Sequence, residues 1–364
     1  MNRASPVEQL AVALQNSDAA ELDGLWLELA KSGDLVSTAR GTLIPSRSRM
    51  RALADVGFTY WPEWAELGFV PFMVKPASFS ASRTKSLSAV LRALIEIGED
   101  DILPHWVTPR AVISLYLPDA MDLRPFGRRV DIHDAAWIHS RCLDCIRQFV
   151  RLDSRLRLAS LASGEQAPEA FPISSRYESS VAAVSGFFGS VAANDLLAAI
   201  PKQHSAAPTM LFADPKPANF IVRRSQRGKP RLDGTRAIQV DLDMLHFSSP
   251  VALQLVLVLF SHPVVFEIEG DFPSRFLHQY NLLCGYGNEF GVSHDEIEAI
   301  LWYHLLRNFA GALSADDREK AGSMARLLAI AGRLLSAVRV DPGFIRTIER
   351  WVAADDGSLD SNRS

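Results

Sequence analysis

The sequence predicts an α+β protein of two unequal lobes, and three observations lead to this prediction. Gly and Pro divide residues 33–75 into short apolar pieces, a composition typical of strands and turns. From Asp134 onward, apolar residues recur mostly at helical spacing. Two short strands that carry polar residues at their ends interrupt this helical part. The order indicates a small, strand-rich N-lobe and a large helical C-lobe.

Composition limits the class of protein. The chain has 364 residues, of which 48% are hydrophobic and 22% charged, as in a globular protein with a substantial core. A net charge of -4 disfavours a general nucleic-acid binder. Three Cys make no disulfide framework and favour a reducing compartment. Acidic residues near the N-terminus disfavour a signal peptide. The longest apolar run is far shorter than the roughly 20 residues of a membrane span. We therefore expect a cytoplasmic protein without membrane contact.

The N-terminal elements follow from local patterns. The first thirty residues have the apolar spacing of two short helices. The apolar segment 68–75 predicts a strand that ends in Lys75, and 86–97 predicts a helix with an apolar face. Residues 111–117 predict an apolar strand that stops at Pro118. These elements define an N-terminal helical extension (1–32) and a nucleotide-binding N-lobe (33–118).

The remaining residues form the predicted C-lobe (119–353), followed by a polar, disordered tail (354–364). Helices are expected over 134–151 and 176–200, with a Ser- and Ala-rich loop insertion at 152–175, and again from Pro250 to about residue 353. Ser293 and Glu296 have the spacing of a capping box. Short strands are expected at 220–222 and 237–240.

The most informative motif lies on the loop before the first of these strands. Asp214, Lys216 and Asn219 follow one another on a Pro-stiffened loop, and Asp241 ends the second strand. Carboxylates, an ammonium group and a carboxamide so arranged can hold Mg²⁺-nucleotide and activate a hydroxyl, because phosphoryl transfer depends mainly on positioning and charge. The alternative is a solvated turn, since these residue types favour turns.

This segment resembles the catalytic loop of kinase-fold enzymes, and in particular that of the aminoglycoside phosphotransferase and choline kinase-like family. The loop spacing matches, and Val240-Asp241-Leu242-Asp243 resembles the metal-binding strand end of that family. The resemblance implies a bilobal protein-kinase-like fold and an ATP-dependent transfer of the γ-phosphate to a hydroxyl of a small-molecule acceptor. It implies that Asp214 is the catalytic base, that Lys216 offsets charge on the transferred phosphate, and that Asn219 and Asp241 bind Mg²⁺.

The resemblance also implies an ATP site in the N-lobe. Lys75 would hold the α and β phosphates, and the backbone from Leu115 to Leu117 would form the hinge that binds adenine. An ordinary surface lysine is the alternative for Lys75, and Lys85 is its rival in the sequence.

The chain departs from the family pattern at two places. Phe212-Ala213 stands where the family commonly has His-Gly, and no Gly-rich loop precedes Lys75. These departures keep open a catalytically inactive kinase-like module that binds nucleotide or a partner protein. A helical interaction protein without a nucleotide site is a third possibility.

Two further patterns have competing interpretations. His139, Cys142 and Cys145, with His133, could ligate a metal, but buried Cys in a helix core is far more common. Acidic residues between 267 and 298 lie where the resembled family binds its acceptor, and could recognise an aminated substrate. Capping and surface charge is the other interpretation of these carboxylates.

Overall fold

We describe the protein from a computed structural model. It describes the following residues: 35–37, 43–45, 50–53, 57–60, 63–64, 68–69, 72–76, 79–97, 105–107, 111–115, 120–122, 139–144, 146–147, 150, 172–188, 209–212, 219–223, 238–240, 242, 246–260, 272–336, 338 and 340–361. The chain divides into two compact units, each discontinuous in sequence. The first comprises 1–123, 147–168 and 218–245, and the second 124–146, 169–217 and 246–364.

The first unit contains most of the strands, and every strand pairing in it is antiparallel. The strands are β1 (Leu35–Ser37), β2 (Leu43–Pro45), β3 (Met50–Leu53), β4 (Gly57–Tyr60), β5 (Glu63–Trp64), β6 (Gly68–Phe69), β7 (Phe72–Pro76), β8 (His105–Val107), β9 (Ala111–Leu115), β10 (Ala120–Asp122), β12 (Phe220–Arg223) and β13 (Ile238–Gln239). A five-stranded sheet has the order β3-β4-β7-β9-β8, a three-stranded sheet has the order β10-β12-β13, and β1-β2 and β5-β6 form separate pairs.

Helix α1 (Ala81–Ile97) follows β7 and packs against β8. Ser80 supports its first turn, because the backbone N–H of Arg83 donates to Ser80 Oγ at 3.2 Å. Leu87, Val90 and Leu91 are buried, and these residues belong to the apolar face that the sequence predicts. The helix begins five residues before the predicted start, which places Lys85 inside it and exposed to solvent.

The described residues of the second unit are mostly helical and include one strand pair. Strand β11 (Thr209–Phe212) pairs antiparallel with β14 (His246–Pro250), with a register shift between Met210 and Phe212. A further helical segment includes residues 139–144, 146–147 and 150, within the helix predicted at 134–151. The division between the two units falls after residue 146 of this segment. The other helices are α2 (Ile173–Phe188), α3 (Val251–Phe260), α4 (Phe272–Glu289), α5 (His294–Ser314), α6 (Arg318–Leu334) and α7 (Pro342–Ser361).

Helix α5 forms the centre of the second unit. It packs against α2, α3, α4 and α6, and most of its residues are buried on all sides. Trp302, Tyr303 and Phe309 are fully buried among these helices. A helix with most of its residues buried is expected where other elements surround it. Helix α3 is of the same kind, with every residue buried.

A tight turn fixes α4 against α5. Gly291 has φ of 68°, the Val292 N–H donates to the Gly287 carbonyl at 2.9 Å, and the Gly291 N–H donates to the Asn288 carbonyl at 3.2 Å. This is the Schellman pattern, which satisfies the last carbonyls of a helix and favours glycine at the left-handed position. Gly287 allows close approach, because a Cβ there would lie 2.1 Å from Ile297 Cδ1.

Several predicted boundaries differ from the structure. Helix α2 begins at Ile173, within the segment predicted to be a loop, because Ile173 and Tyr177 are both buried and anchor its first turn. Helix α7 extends to Ser361, into the segment predicted to be disordered. The apolar segment predicted as one strand at 68–75 forms two strands, β6 and β7, and β9 ends at Leu115. The helices predicted in the first thirty residues lie outside the described residues.

Candidate active site

Asn219 is the predicted metal ligand that the structure describes in most detail. It lies directly before β12 and is 5% exposed. Its backbone carbonyl accepts a hydrogen bond from the Val240 N–H at 2.8 Å. This bond continues the antiparallel pairing of β12 with β13, in which Phe220 pairs with Gln239 and Ile221 with Ile238. The two strands predicted around the motif are therefore present and adjacent, with Asn219 bonded to the residue that precedes Asp241 in sequence.

The apolar residues around this strand end explain its position. Phe220, the first residue of β12, and Leu242, which follows β13, are fully buried, so apolar side chains anchor both segments. Fully burying a Phe or Leu side chain contributes about 1.5–3 kcal/mol each. Asp214, Lys216 and Asp241 lie outside the described residues, and their predicted roles stay predictions. The neighbouring Phe212 ends strand β11.

The predicted nucleotide residues lie on neighbouring strands of the five-stranded sheet. Lys75 is in β7 and pairs with Val112 of β9, and Leu115, the last residue of β9, pairs with Phe72 of β7. Val112 is 4% exposed, which shows that one face of this strand pair is covered. Lys75 is therefore on a strand, as predicted, whereas Lys85 is on helix α1. Leu117 lies outside the described residues.

Two of the late acidic residues are buried on helix α5, which excludes surface charge as their explanation. Glu298 is 1% exposed, and its Oε1 accepts a hydrogen bond from the Tyr280 hydroxyl at 2.6 Å. The same oxygen lies 3.1 Å from Nε2 of His294. Burial, and the hydrogen bond to Glu298, raise the pKa of Tyr280, so the phenol keeps its proton and acts as a donor.

Glu296 is also buried. Its backbone N–H donates to Ser293 Oγ at 3.2 Å, which confirms Ser293 as the N-cap of α5. Among the described residues, Glu296 Oε1 has no hydrogen-bond partner, so this oxygen does not complete the predicted capping box. Burial raises the pKa of Glu296 to about 7. Asp295 is exposed at the same end of the helix, and the acidic residues at 267–271 lie outside the described residues.

The alternative metal site at His139 is only partly described. His139 and Cys142 are both buried on one helical segment. Burial lowers the pKa of His139 to about 4, and repulsion from His278 adds to the effect, so the imidazole is neutral. Among the described residues, no three His, Cys, Asp or Glu side chains come together as a metal site would require. Cys145 and His133 are not among them.

Sequence reasoning missed one polar cluster, which joins Tyr280 and Cys284 of α4 to His294 and Glu298 of α5. The hydrogen bonds that join these residues cross between the two helices. The available signal was the spacing, since each helix carries its two polar residues four apart and so on one face. Which faces of two helices meet depends on tertiary packing, and the spacing alone does not give it.

No helix of the described part of the chain has the length and apolar character of a membrane span. No protein-family model matches the chain, and no curated protein matches it.

Solved structures do match. Amicoumacin kinase hAmiN, in complex with AMP-PNP, Ca²⁺ and Ami, aligns with a TM-score of 0.50 at 13% identity, over 87% of this chain and 95% of that one. The apoenzyme of macrolide 2'-phosphotransferase MphH from Brachybacterium faecium has a TM-score of 0.44 at 13% identity, over 83% and 98% of the two chains. A choline/ethanolamine kinase family protein from Mesorhizobium loti has a TM-score of 0.41 at 14% identity, over 94% and 98%.

At such identities the likeness concerns the fold alone, and the amicoumacin kinase match carries it. The predicted resemblance is confirmed at this level, because the chain shares the fold of amicoumacin kinase.

Proposed function

We propose that the protein is an ATP-dependent phosphotransferase that moves the γ-phosphate to a hydroxyl of a small-molecule acceptor. Asp214 is the catalytic base, and Asn219 and Asp241 hold Mg²⁺ between the nucleotide phosphates. Lys216 offsets the charge that develops on the transferred group, because an ammonium beside the phosphoryl oxygens stabilises the transition state.

The observation that carries the proposal is the hydrogen bond between the Asn219 carbonyl and the Val240 N–H, at 2.8 Å. It joins the residue five positions after Asp214 to the residue directly before Asp241. An amide and a carboxylate are oxygen ligands of the kind that Mg²⁺ prefers. The strand pair therefore supports a metal site to which Asn219 and Asp241 both contribute.

Two further observations support nucleotide binding. Lys75 and Leu115 belong to paired strands of one sheet, as a phosphate-binding lysine and an adenine hinge in one nucleotide site require. Amicoumacin kinase, which shares the fold, holds AMP-PNP and Ca²⁺ together with its small-molecule ligand. The proposed site would take Mg²⁺-ATP and a small acceptor in the same way.

The test is phosphoryl transfer by the purified protein, followed by mass spectrometry of the products. Wild type and Asp214→Asn are incubated with ATP, Mg²⁺ and a panel of aminoglycosides, macrolides, choline and ethanolamine. We expect a phosphorylated product with the wild type and a rate about 10²- to 10⁴-fold lower with the variant, the usual contribution of a general base. Glu178→Gln removes an exposed carboxylate of helix α2, outside the acidic residues between 267 and 298, and is the matched control.

The assay also distinguishes the alternative function. Binding of ATP without turnover across the panel would identify the inactive, nucleotide-binding module that Phe212-Ala213 keeps open. Equal turnover by wild type and Asp214→Asn would contradict the assignment of the base.

A further inference from the structure

The cluster between helices α4 and α5 has the arrangement of an activated thiol. The Sγ atom of Cys284 lies 3.6 Å from Nδ1 of His294, within hydrogen-bonding distance for sulfur. On the other side of the imidazole ring, Nε2 lies 3.1 Å from Oε1 of Glu298. A thiol, an imidazole and a carboxylate therefore follow one another, and this order is what a base-activated nucleophile requires.

The hydrogen bonds around Glu298 determine the tautomer of His294. Oε1 of Glu298 accepts the Tyr280 hydroxyl proton at 2.6 Å, and a carboxylate oxygen can only accept. Nε2 of His294 faces this oxygen and lies 2.8 Å from the Tyr280 hydroxyl. Because neither group has a further proton to donate to it, Nε2 must carry the ring hydrogen. In the neutral imidazole the lone pair is then on Nδ1. The basic nitrogen of His294 faces the thiol.

The frame of the cluster is rigid, although its reactive end is accessible. The Schellman turn at 287–292 fixes the two helices, and Glu298 is 1% exposed beneath the ring. The His294 side chain is 54% exposed, and Cys284 is partly exposed. A small reagent can therefore approach the sulfur, and a proton can leave through the imidazole to solvent.

We propose that Cys284 is a nucleophilic thiol that His294 activates as a general base, and that it forms a mixed disulfide with a low-molecular-weight disulfide. In this step the S–H proton passes to Nδ1 of His294 while Sγ attacks one sulfur of the disulfide. The S–S bond of the reagent breaks, a new S–S bond forms to Cys284, and the leaving thiolate takes up the proton. The reagent disulfide is the oxidant, and one thiol is released for each Cys284 modified.

The electrostatics explain why the base is needed. Burial raises the pKa of Cys284, the proximity of the Tyr280 hydroxyl lowers it, and the negative charge of Glu298 raises it. The resting group is thus a thiol at neutral pH, and the reaction depends on proton removal during the attack. Glu298 stabilises the imidazolium that forms. The groups that act on Cys284 are Tyr280 of its own helix and His294 and Glu298 of the neighbouring helix.

The test measures the rate of modification in the folded, full-length protein. Oxidised glutathione is the first reagent and dithionitrobenzoate the second, and peptide mass spectrometry separates Cys284 from Cys142 and Cys145. We expect Cys284 to react first and His294→Gln to slow it at least about tenfold near neutral pH. His278→Gln is the matched control, because it removes an exposed histidine of α4 whose charge acts on His139.

The pH profile separates a base from a merely structural residue. In the wild type the thiol should react near neutral pH, because a general base removes its proton during the attack. In His294→Gln the rate should rise only at alkaline pH, as the thiol itself ionises. His294→Asn serves as a second variant if the melting temperature shows that His294→Gln is unfolded. Equal rates and profiles in wild type and variant, or earlier modification of Cys142 or Cys145, would overturn the proposal.

Discussion

Side-chain hydrogen bonds join the helices of the second unit, whereas a backbone hydrogen bond joins the strands after Asn219. In the helices, Glu298 accepts from Tyr280 at 2.6 Å, and the Nε2–H of His304 donates to the Phe260 carbonyl at 3.2 Å. These side chains contribute directly to helix packing. At the strand end, a backbone bond between Asn219 and Val240 holds the chain. The strand pair therefore does not depend on the Asn219 side chain for this bond.

This difference indicates separate roles for the two regions. Loss of a partner inside the helices should reduce the free energy of unfolding, because a buried group without a hydrogen bond costs about 1–3 kcal/mol. Substitution of Asn219 should mainly reduce activity. The variants below test whether stability and activity can be changed separately.

The largest effect is expected from Asn219→Ala. Loss of one ligand should weaken the Mg²⁺ site, whose charge stabilisation is worth several kcal/mol, and should lower kcat/KM for phosphoryl transfer at least about 100-fold. Steady-state kinetics on an acceptor from the screen measures this loss. Asn288→Ala, at an exposed position of α4, is the control and should retain full activity. A fall in activity explained entirely by unfolded protein would show that Asn219 has a structural role.

Phe309→Ala should reduce the free energy of unfolding rather than the activity of correctly folded protein. Phe309 is fully buried, and its ring centroid lies 5.6 Å from that of Phe188 and 6.0 Å from that of Trp351. Truncation of a core Phe typically costs about 3–5 kcal/mol of unfolding free energy, which urea denaturation measures. Phe187→Ala is the matched control, because Phe187 is 65% exposed, and it should change stability little. Similar losses in both variants would contradict the described core.

A smaller loss of stability is expected from Gly291→Ala. The φ of 68° places Gly291 in the left-handed region, which costs a residue with a Cβ atom about 1–2 kcal/mol. Thermal unfolding measures the loss. Gly285→Ala, in α4 where a Cβ would have open space around it, should be neutral or stabilising and is the control. Equal melting temperatures of the two variants would argue against the Schellman turn.

The smallest effect concerns pH. Because burial raises the pKa of Glu296 from 4.5 to about 7, the folded state retains a proton that the unfolded state loses. The stability that this group contributes is fully present below pH 4.5 and is lost as pH rises to about 7. The difference in melting temperature between wild type and Glu296→Gln should therefore change across this window in favour of the variant. Asp295→Asn, an exposed neighbour, should show no comparable change.

The helices of the second unit could be predicted well from sequence, because the residues that specify each helix lie within it or at its ends. Apolar spacing predicted helices from Pro250 to about residue 353, and the Ser293 cap needed only the residues of one turn. Composition was misleading at the start of α2, where Ser174 and Ser175 suggested a loop although the buried Ile173 and Tyr177 determine a helix.

The site was predictable only in part. The two strands at 220–222 and 237–240 followed from their apolar residues, and the structure pairs them. The partners of Glu298 did not follow from the sequence, because Tyr280 and His294 reach it through the packing of two helices. Bilobal arrangement and the roles of Asp214, Lys216 and Asp241 stay predictions.

The most direct test of the central claim is a thermal shift with ATP and Mg²⁺, on the wild type, Asp241→Asn and the control Asp295→Asn. A ligand that binds only the folded state stabilises it by about 2.7 kcal/mol at 100 times its Kd. We predict a Mg²⁺-dependent rise in melting temperature for the wild type and for Asp295→Asn, and none for Asp241→Asn. An unchanged melting temperature of the wild type at millimolar nucleotide, or an equal rise in all three proteins, would contradict the proposed nucleotide site.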